Sequence, residues 1–189
     1  MTVSSAGLRL LPLLVVLAAL LGCGKSGDSR LAGLSTYEAA DGTFLIRYRK
    51  PPWRFLADDD TGAYFEVLRE GAKFTDLDAG LLPITRKYFL RARVVDVPPD
   101  ICITDRLAEK PEEEPVLEGP ELFLTTAGNE GKTASYRYFQ DEEKYVSRYV
   151  RIACLEHPAG SLELYFDTIP DPREREIDEM IMDVEIVSP

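Results

Sequence analysis

The clearest structural pattern in the chain is KYVSRYVRIACLEHPAGSLELYFDT, at residues 144–168. Residues 144–155 and 161–168 are two apolar-rich runs of strand length. Residues 157–160, His-Pro-Ala-Gly, lie between them and have the composition of a turn. The pattern therefore predicts two strands that are joined as a β-hairpin.

On either side of this hairpin, most of the chain shows the period of two that is typical of strands. In residues 43–49, Phe44, Ile46 and Tyr48 fall on one face and the arginines fall on the other. The acidic residues 141–143 are expected to form the tip of a second hairpin. Further strands are predicted at 63–69, 88–97, 121–126 and 132–140.

The C-terminal region has the pattern of an amphipathic helix. Asp171 suits the N-cap, Pro172 suits the first helical position, and Glu174 completes a capping box. A shorter helix is predicted at about 76–82. Seven strands with one or two helices indicate an α+β fold, in which a mainly antiparallel sheet of about six or seven strands carries the C-terminal helix packed on it. The apolar stripe of that helix is Ile177, Met180, Ile181 and Val184.

The composition agrees with a folded, acidic domain. The chain has 189 residues, of which 45% are hydrophobic, enough for a packed core. It carries 22 Lys and Arg residues against 33 Asp and Glu residues, a formal net charge of −11. Phosphates would repel such a domain, so we expect no nucleic-acid partner. Composition and pattern also exclude a collagen, a coiled-coil rod and a polytopic membrane protein.

The N-terminus has the features of an export signal. Arg9 precedes an apolar run at residues 10–21, which is too short to cross a hydrocarbon core of about 30 Å as a helix. Residues 20–23, LLGC, resemble the lipobox of bacterial lipoproteins. That resemblance implies cleavage before Cys23 and attachment of diacylglycerol to its sulfur. An ordinary signal peptide, or a buried helix with an incidental cysteine, is the alternative interpretation.

These features divide the chain into a lipoprotein signal peptide at 1–22, a lipidated Cys23 with a flexible tether at 23–35, and a single α+β domain at 36–189. The tether is expected to be flexible because it is rich in Gly and Ser. Gly24 follows the cysteine, where an Asp favours retention in the inner membrane of enterobacteria. We therefore expect a lipid anchor in the bacterial cell envelope, more specifically in the outer membrane.

The two remaining cysteines form an even pair in an oxidising compartment if Cys23 carries lipid. We therefore expect a disulfide between Cys102 and Cys154, with two buried thiols as the alternative. A metal site fits less well, because neither cysteine has a second cysteine or a histidine at ligand spacing.

An unusually acidic segment separates the predicted strands near the middle of the chain. From 105 to 121 there are seven acids, two bases and three prolines. This composition predicts an exposed, acidic, Pro-rich loop at about 105–120. Such a loop is either simply solvated or acts as an acidic docking arm for a basic partner.

No catalytic residue, metal centre or cofactor is predicted. His157 is the sole histidine, and neighbouring Ser161 lacks the elbow of a nucleophilic serine. The run Asp58-Asp59-Asp60 lacks the ligand spacing of an EF-hand, which favours a solvated turn over a weak Ca²⁺ site. No spacing marks the paired carboxylates of a glycosidase among the 33 acids.

A group of aromatic and arginine side chains on the predicted sheet is the candidate interaction surface. Tyr and Arg are enriched at protein interfaces, because they bury a large area with little loss of entropy. Cross-strand stacking of the same residues within the sheet is the alternative interpretation. The candidate residues are Trp53, Tyr136, Tyr138, Tyr149 and Arg151.

Residues 44–48, FLIRY, followed by Trp53, further strands and a closing helix, resemble the PsbP/Mog1-like fold over about 40–187. That group includes photosystem II extrinsic proteins, a Ran-binding protein and many bacterial lipoproteins. The resemblance implies a non-enzymatic role in protein binding or assembly and carries over no catalytic residues. We therefore expect a membrane-anchored module that binds another envelope protein. The alternatives are a small-ligand or metal-ion carrier with a pocket near Trp53 and Asp58, and a carboxylate-based hydrolase.

Overall fold

The computed structural model describes residues 33–50, 52–60, 62–67, 89–139, 147–168 and 174–187. Over these residues the predicted α+β fold is confirmed. The strands are β1 (Leu34–Glu38), β2 (Phe44–Arg49), β3 (Trp53–Asp59), β4 (Gly62–Val67), β5 (Phe89–Val95), β6 (Val116–Leu124), β7 (Glu130–Phe139), β8 (Ser147–His157), β9 (Gly160–Thr168) and β10 (Glu185–Ile186). The helices are α1 (Pro99–Ala108) and α2 (Glu174–Met182). Neither of these two helices has the length and apolar character needed to cross a membrane.

Seven strands form one antiparallel sheet in the order β3-β4-β5-β9-β8-β7-β6. Its centre is the predicted hairpin of β8 and β9, in which Leu155 pairs with Leu162 and His157 pairs with Gly160. Gly160 has a φ of +126°, and a Cβ at this position would lie 2.3 Å from the carbonyl oxygen of Val95. Only glycine therefore fits this turn without displacing the neighbouring strand.

A second sheet has the order β1-β2-β10. In β2 the burial alternates as predicted, with Phe44, Ile46 and Tyr48 buried. The predicted tether at 23–35 is wrong for its last two residues, since β1 begins at Leu34. Antiparallel pairing with β2 explains the difference, because it supplies backbone hydrogen bonds that the local sequence does not reveal.

One face of the large sheet packs against β2 and α2 in a single apolar cluster. Ile177, Met180 and Ile181 of α2 are buried in this cluster, and Val184 follows them, so the predicted apolar stripe is confirmed. Burial of one such side chain contributes about 1.5–3 kcal/mol. Three predicted features lie outside the described residues: the capping residues Asp171 and Pro172, the helix at 76–82 and the tip at 141–143.

Helix α1 covers part of the opposite face of the large sheet. Cys102 and Ile103 are buried there in a second cluster with Ile152 and Cys154. Pro99 in the first turn suits the start of a helix, since its missing N–H has no intrahelical partner there. The sulfurs of Cys102 and Cys154 are bonded, so the predicted disulfide is present and links α1 to β8.

The prediction of a loop at about 105–120 is wrong at both of its ends. Helix α1 continues to Ala108 and β6 already begins at Val116. The acidic, Pro-rich composition hides these elements, because contacts with the rest of the fold stabilise them. α1 packs on the sheet, and β6 pairs with β7 across two register shifts. Most side chains of the segment are nevertheless exposed, as predicted.

Candidate functional site

Trp53 of the predicted interaction surface lies in the core. Its side chain is 0% exposed, and its ring meets the ring of Phe166 edge-on with the centroids 6.0 Å apart. Its cross-strand partner Val67 is buried in the same cluster. The prediction of Trp53 as a surface residue is therefore wrong, because the first residue of β3 faces the main core.

Tyr136 and Tyr149 are also buried, in different clusters. Tyr136 lies in the cluster beneath α1, whereas Tyr149 lies in the main core. Tyr138 is half-buried beside Tyr136, and its hydroxyl donates a hydrogen bond to the Asp167 carboxylate at 3.0 Å. Burial and the charge of Asp167 raise the pKa of Tyr138 to about 12, because both disfavour the phenolate. These tyrosines are structural parts of the sheet.

Arg151 joins three elements rather than presenting a free guanidinium. It lies in β8, donates to Glu118 of β6 at 2.5 Å and pairs with Asp178 of α2 at 3.4 Å. Burial raises the pKa of the Asp178 carboxyl. The five predicted residues therefore do not come together as one exposed surface.

The most strongly charged interior site surrounds Glu163 of β9, which is 2% exposed. Its carboxylate accepts hydrogen bonds from Arg91 at 2.9 Å, Arg93 at 3.1 Å and Arg106 at 2.6 Å. Arg91 also lies over the ring of Tyr165, 5.6 Å from the centroid. A buried carboxylate needs such partners to offset its desolvation. The network connects β5, β9 and α1, and so holds α1 in position on the sheet.

A cleft of about 270 Å³ lies beside the turn between β3 and β4. Tyr37, Asp58 and Arg93 contribute to its lining, and the Tyr37 hydroxyl donates to Asp58 at 2.5 Å. This cleft adjoins Asp58, whereas Trp53, the other residue named for a pocket, is in the core. Within the described ranges, no three or more acidic, histidine or cysteine side chains are grouped to hold a metal ion.

A second cleft, of about 480 Å³, is lined in part by His157, Glu130 and Glu156. The Nδ1 atom of His157 accepts a hydrogen bond from the backbone N–H of Ala159 at 3.1 Å. The Ser161 hydroxyl is buried and donates to the carbonyl oxygen of Val97 at 2.6 Å. The His157 ring is therefore engaged in its own turn, and the Ser161 hydroxyl is engaged with the backbone just after β5.

The edge of the large sheet at β6 exposes large apolar side chains. Leu122 is 79% exposed and Leu124 is 53% exposed. The two leucines are two residues apart in the strand, so they lie on the same face. An exposed apolar group with a polar rim is typical of a protein interaction site.

The first turn of α1 is joined to β7, the strand that pairs with these leucines. Asp100 forms an ion pair with Lys132, which is the cross-strand partner of Leu122. Ile101, beside Asp100, is 47% exposed. We call Leu122 and Leu124 the edge patch.

Acidic side chains are concentrated along the chain that leads into the edge patch. The two bases in the segment are engaged in contacts: Arg106 binds Glu163 of β9 and Glu109, and Lys110 donates to the carbonyl oxygen of Pro111 at 2.8 Å. The edge patch therefore adjoins a strongly negative surface. The exposed acids of the segment are Asp105, Glu109, Glu112, Glu113, Glu118 and Glu121.

The sequence prediction missed the edge patch, although it placed a strand at 121–126. The signal was present in the run Leu122-Phe123-Leu124, which is apolar on both faces. Such a strand must either lie inside a sheet or expose one apolar face. Arg91 and Arg93 lie on the same face of the strand predicted at 88–97, and this pair of arginines was a comparable signal for the Glu163 network.

No protein-family model and no curated protein matches the chain. Among solved structures it is similar to cyanobacterial PsbP (CyanoP) from Synechocystis sp. PCC 6803, at 12% identity and a TM-score of 0.49, over 87% of this chain and 97% of that one. It is also similar to the Ran-binding protein Mog1p of Saccharomyces cerevisiae, at 10% identity and a TM-score of 0.47, over 81% and 95% of the two chains. A third similar structure, from Bacteroides thetaiotaomicron, has 12% identity and a TM-score of 0.48 over 82% of this chain, which spans 49% of that protein. Two of these three structures, PsbP and Mog1p, carry the names of the fold that the sequence resembles.

Proposed function

We propose that this protein is a lipid-anchored lipoprotein of the bacterial cell envelope, whose α+β domain binds another envelope protein through the edge patch. The observation that carries the proposal is the exposure of Leu122 and Leu124 on the outermost strand of a sheet. Exposed leucines on an edge strand favour aggregation. Their presence is therefore best explained by a partner that covers them.

The anchor is supported by the sequence alone. The run LLGC at 20–23 follows an apolar segment of the length found in secretion signals. Each buried methylene of an acyl chain contributes about 0.8 kcal/mol, so two or more chains on Cys23 hold the protein stably at a membrane. Gly24 favours the outer membrane. Cys23 lies outside the described residues.

A binding role is favoured over catalysis because two buried carboxylates, those of Glu163 and Asp167, are already engaged within the fold. Glu163 is held by three arginines, and the Asp167 carboxylate is held by Arg148 at 2.7 Å. Groups that are held in this way stabilise the sheet and are poorly placed to exchange protons with a substrate.

The anchor is tested by growing bacteria that produce the full-length chain with radioactive palmitate. We expect label in the wild-type protein and in Ser26→Ala, and no label in Cys23→Ala. Incorporation that persists in Cys23→Ala would contradict the anchor.

The binding role is tested by crosslinking in the native envelope, followed by purification of the full-length chain. Leu122→Lys with Leu124→Lys places charge on the edge patch, and Ala57→Lys places charge on exposed β3 at the other edge of the same sheet. We expect a partner to be recovered with the wild type and with Ala57→Lys, and to be lost with the double variant. Equal recovery with all three proteins would contradict the role of the edge patch.

A further inference from the structure

We infer that the partner docks on residues 121–124 as an added β-strand, and that its docking segment alternates apolar and basic side chains. This inference rests on the proposed function, since it names the mode of binding and the chemistry of the partner at the same surface.

The backbone of β6 offers a place for an additional strand. Within the part of the chain that the structure describes, β6 is paired with β7 alone and ends the sheet. The outer side of an edge strand carries backbone N–H and C=O groups that can accept another strand. The inference therefore requires only an extended segment and no rearrangement of the sheet.

The usable part of the edge is short. Residues 121–124 pair with β7 in unbroken register, whereas register shifts interrupt the pairing between Val116 and Glu121. Pro120 has no N–H to donate, and bulges and prolines block the addition of strands. The docking segment is therefore expected to form its ladder with about four residues of β6.

The side chains of this part alternate in chemistry. Leu122 and Leu124 lie on one face, while Glu121 and Phe123 lie on the other. Glu121 is exposed, and Phe123 is partly buried against the main core. An added strand would therefore meet leucines on one face and a glutamate on the other, which an alternation of apolar and basic residues complements.

Charge argues against a second copy of this chain as the occupant. A copy would bring the same seven acids of 105–121 to the contact, together with a total charge of −11 on each chain. Like charges that face each other weaken association, whereas a basic segment would be attracted. A basic partner segment therefore fits the edge better than self-association.

The probe is a fluorescent octapeptide in which Lys and Val alternate, added to the purified full-length chain in a non-ionic detergent. Binding is measured by fluorescence anisotropy. We expect the Leu122→Lys, Leu124→Lys double variant to weaken binding at least tenfold, and the variant Ala57→Lys, which adds one positive charge at the other edge of the sheet, to leave it unchanged. A peptide in which Glu and Val alternate is expected to bind at least tenfold more weakly to the wild type.

Two N-methylated forms of the Lys/Val peptide test the mode of binding. One carries methyl groups on the odd-numbered amides and the other carries them on the even-numbered amides. Successive N–H groups of a strand point to opposite edges, and only one edge of an added strand faces β6. One methylated form is therefore expected to lose binding, and the other is expected to retain it. Equal binding of both forms would overturn strand addition.

Three other results would contradict the proposal that the docking segment of the partner is basic. Equal affinity for the Glu/Val peptide, no binding of the Lys/Val peptide, or a dimer of the full-length chain that the double variant dissociates would each reject a basic segment as the occupant. If the envelope partner is lost in the double variant while the peptides fail, the proposed function stands and the strand-addition inference falls. If the partner is recovered equally with all variants, the proposed function itself fails.

Discussion

The two outermost strands of the large sheet, β3 and β6, differ in how far their apolar side chains are buried. β3 buries Trp53 completely and packs Phe55 against the main core. β6 leaves Leu122 79% exposed and Leu124 53% exposed. Because both strands are edges of the same sheet, position at an edge does not account for the difference. The apolar residues of β3 stabilise the fold, whereas Leu122 and Leu124 of β6 are the residues that we propose contact a partner.

Charged residues differ between the two edges as well. At β3 the Nε atom of Arg54 donates to Glu66 at 2.9 Å, and Asp58 accepts a hydrogen bond from Tyr37. Near β6, Glu112 and Glu113 are exposed at the end of a segment rich in acids. Arg54 and Asp58 at the β3 edge thus make contacts within the fold, whereas Glu112 and Glu113 near β6 are exposed.

The largest expected effect in this comparison comes from Trp53→Ala. Truncation of a fully buried Trp removes its apolar contacts and leaves a cavity, so the free energy of unfolding should fall by about 3–5 kcal/mol. Urea unfolding followed by circular dichroism measures the change without a tryptophan signal. A loss below about 1 kcal/mol would mean that β3 is not anchored in the core as described.

The next effect concerns the disulfide that links α1 to β8. Cys102 and Cys154 are 52 residues apart, and the chain-entropy account gives roughly 4 kcal/mol for such a loop. Replacing both cysteines with Ala should lower the free energy of unfolding by about 2–4 kcal/mol.

Reductant provides the control for this variant. Dithiothreitol should lower the stability of the wild-type protein towards that of the double variant, and should leave the variant unchanged. Insensitivity of the wild type to reductant under unfolding conditions would contradict a disulfide in the native protein.

A smaller, pH-dependent effect is expected at the β3 edge. Burial, and then the hydrogen bond and charge of Asp58, raise the pKa of Tyr37 above its ordinary value of 10.0. Because the folded state favours the protonated phenol, the corresponding stability is present below pH 10 and is lost as the pH rises through the folded-state pKa. Absorbance at 295 nm, compared with that of Tyr37→Phe, measures the titration.

Asp58→Asn separates these causes. It should lower the pKa of Tyr37 towards the ordinary value, because the carboxylate charge is removed while burial is retained. An unchanged titration in Asp58→Asn would show that the contact between Asp58 and Tyr37 does not form in solution.

The smallest effect on stability is expected for Leu122→Ala. The leucine is 79% exposed, so its truncation should change the free energy of unfolding by no more than about 0.5 kcal/mol. The same urea titration measures it beside Trp53→Ala. A loss of 2 kcal/mol or more, as for a buried leucine, would show that β6 belongs to the core and would remove the contrast between the two edges.

Periodicity alone predicted the parts of the fold whose residues alternate regularly. Phe44, Ile46 and Tyr48 of β2 are buried, and so is the stripe of α2 that begins at Ile177. The cysteine count and the expected compartment predicted the disulfide between Cys102 and Cys154. These patterns are local or depend on composition, so they could be recognised without the fold.

The missed features depend on contacts between distant segments. Helix α1 is buried only through Cys102 and Ile103, too narrow a stripe to stand out in a sequence with prolines on both sides. Trp53 looked like a surface residue because nothing in its neighbourhood shows which face of β3 is covered. The edge patch depends on the order of the strands, which places β6 outermost although its sequence resembles an inner strand.

The most direct test of the account is photo-crosslinking from the two edges in the native envelope. A photoreactive amino acid replaces Leu122 in one full-length protein and Ala57 in a second. Illumination should yield a specific crosslinked protein from position 122 and none from position 57. The same adducts from both positions, or none from position 122, would contradict the assignment of the β6 edge as the binding surface.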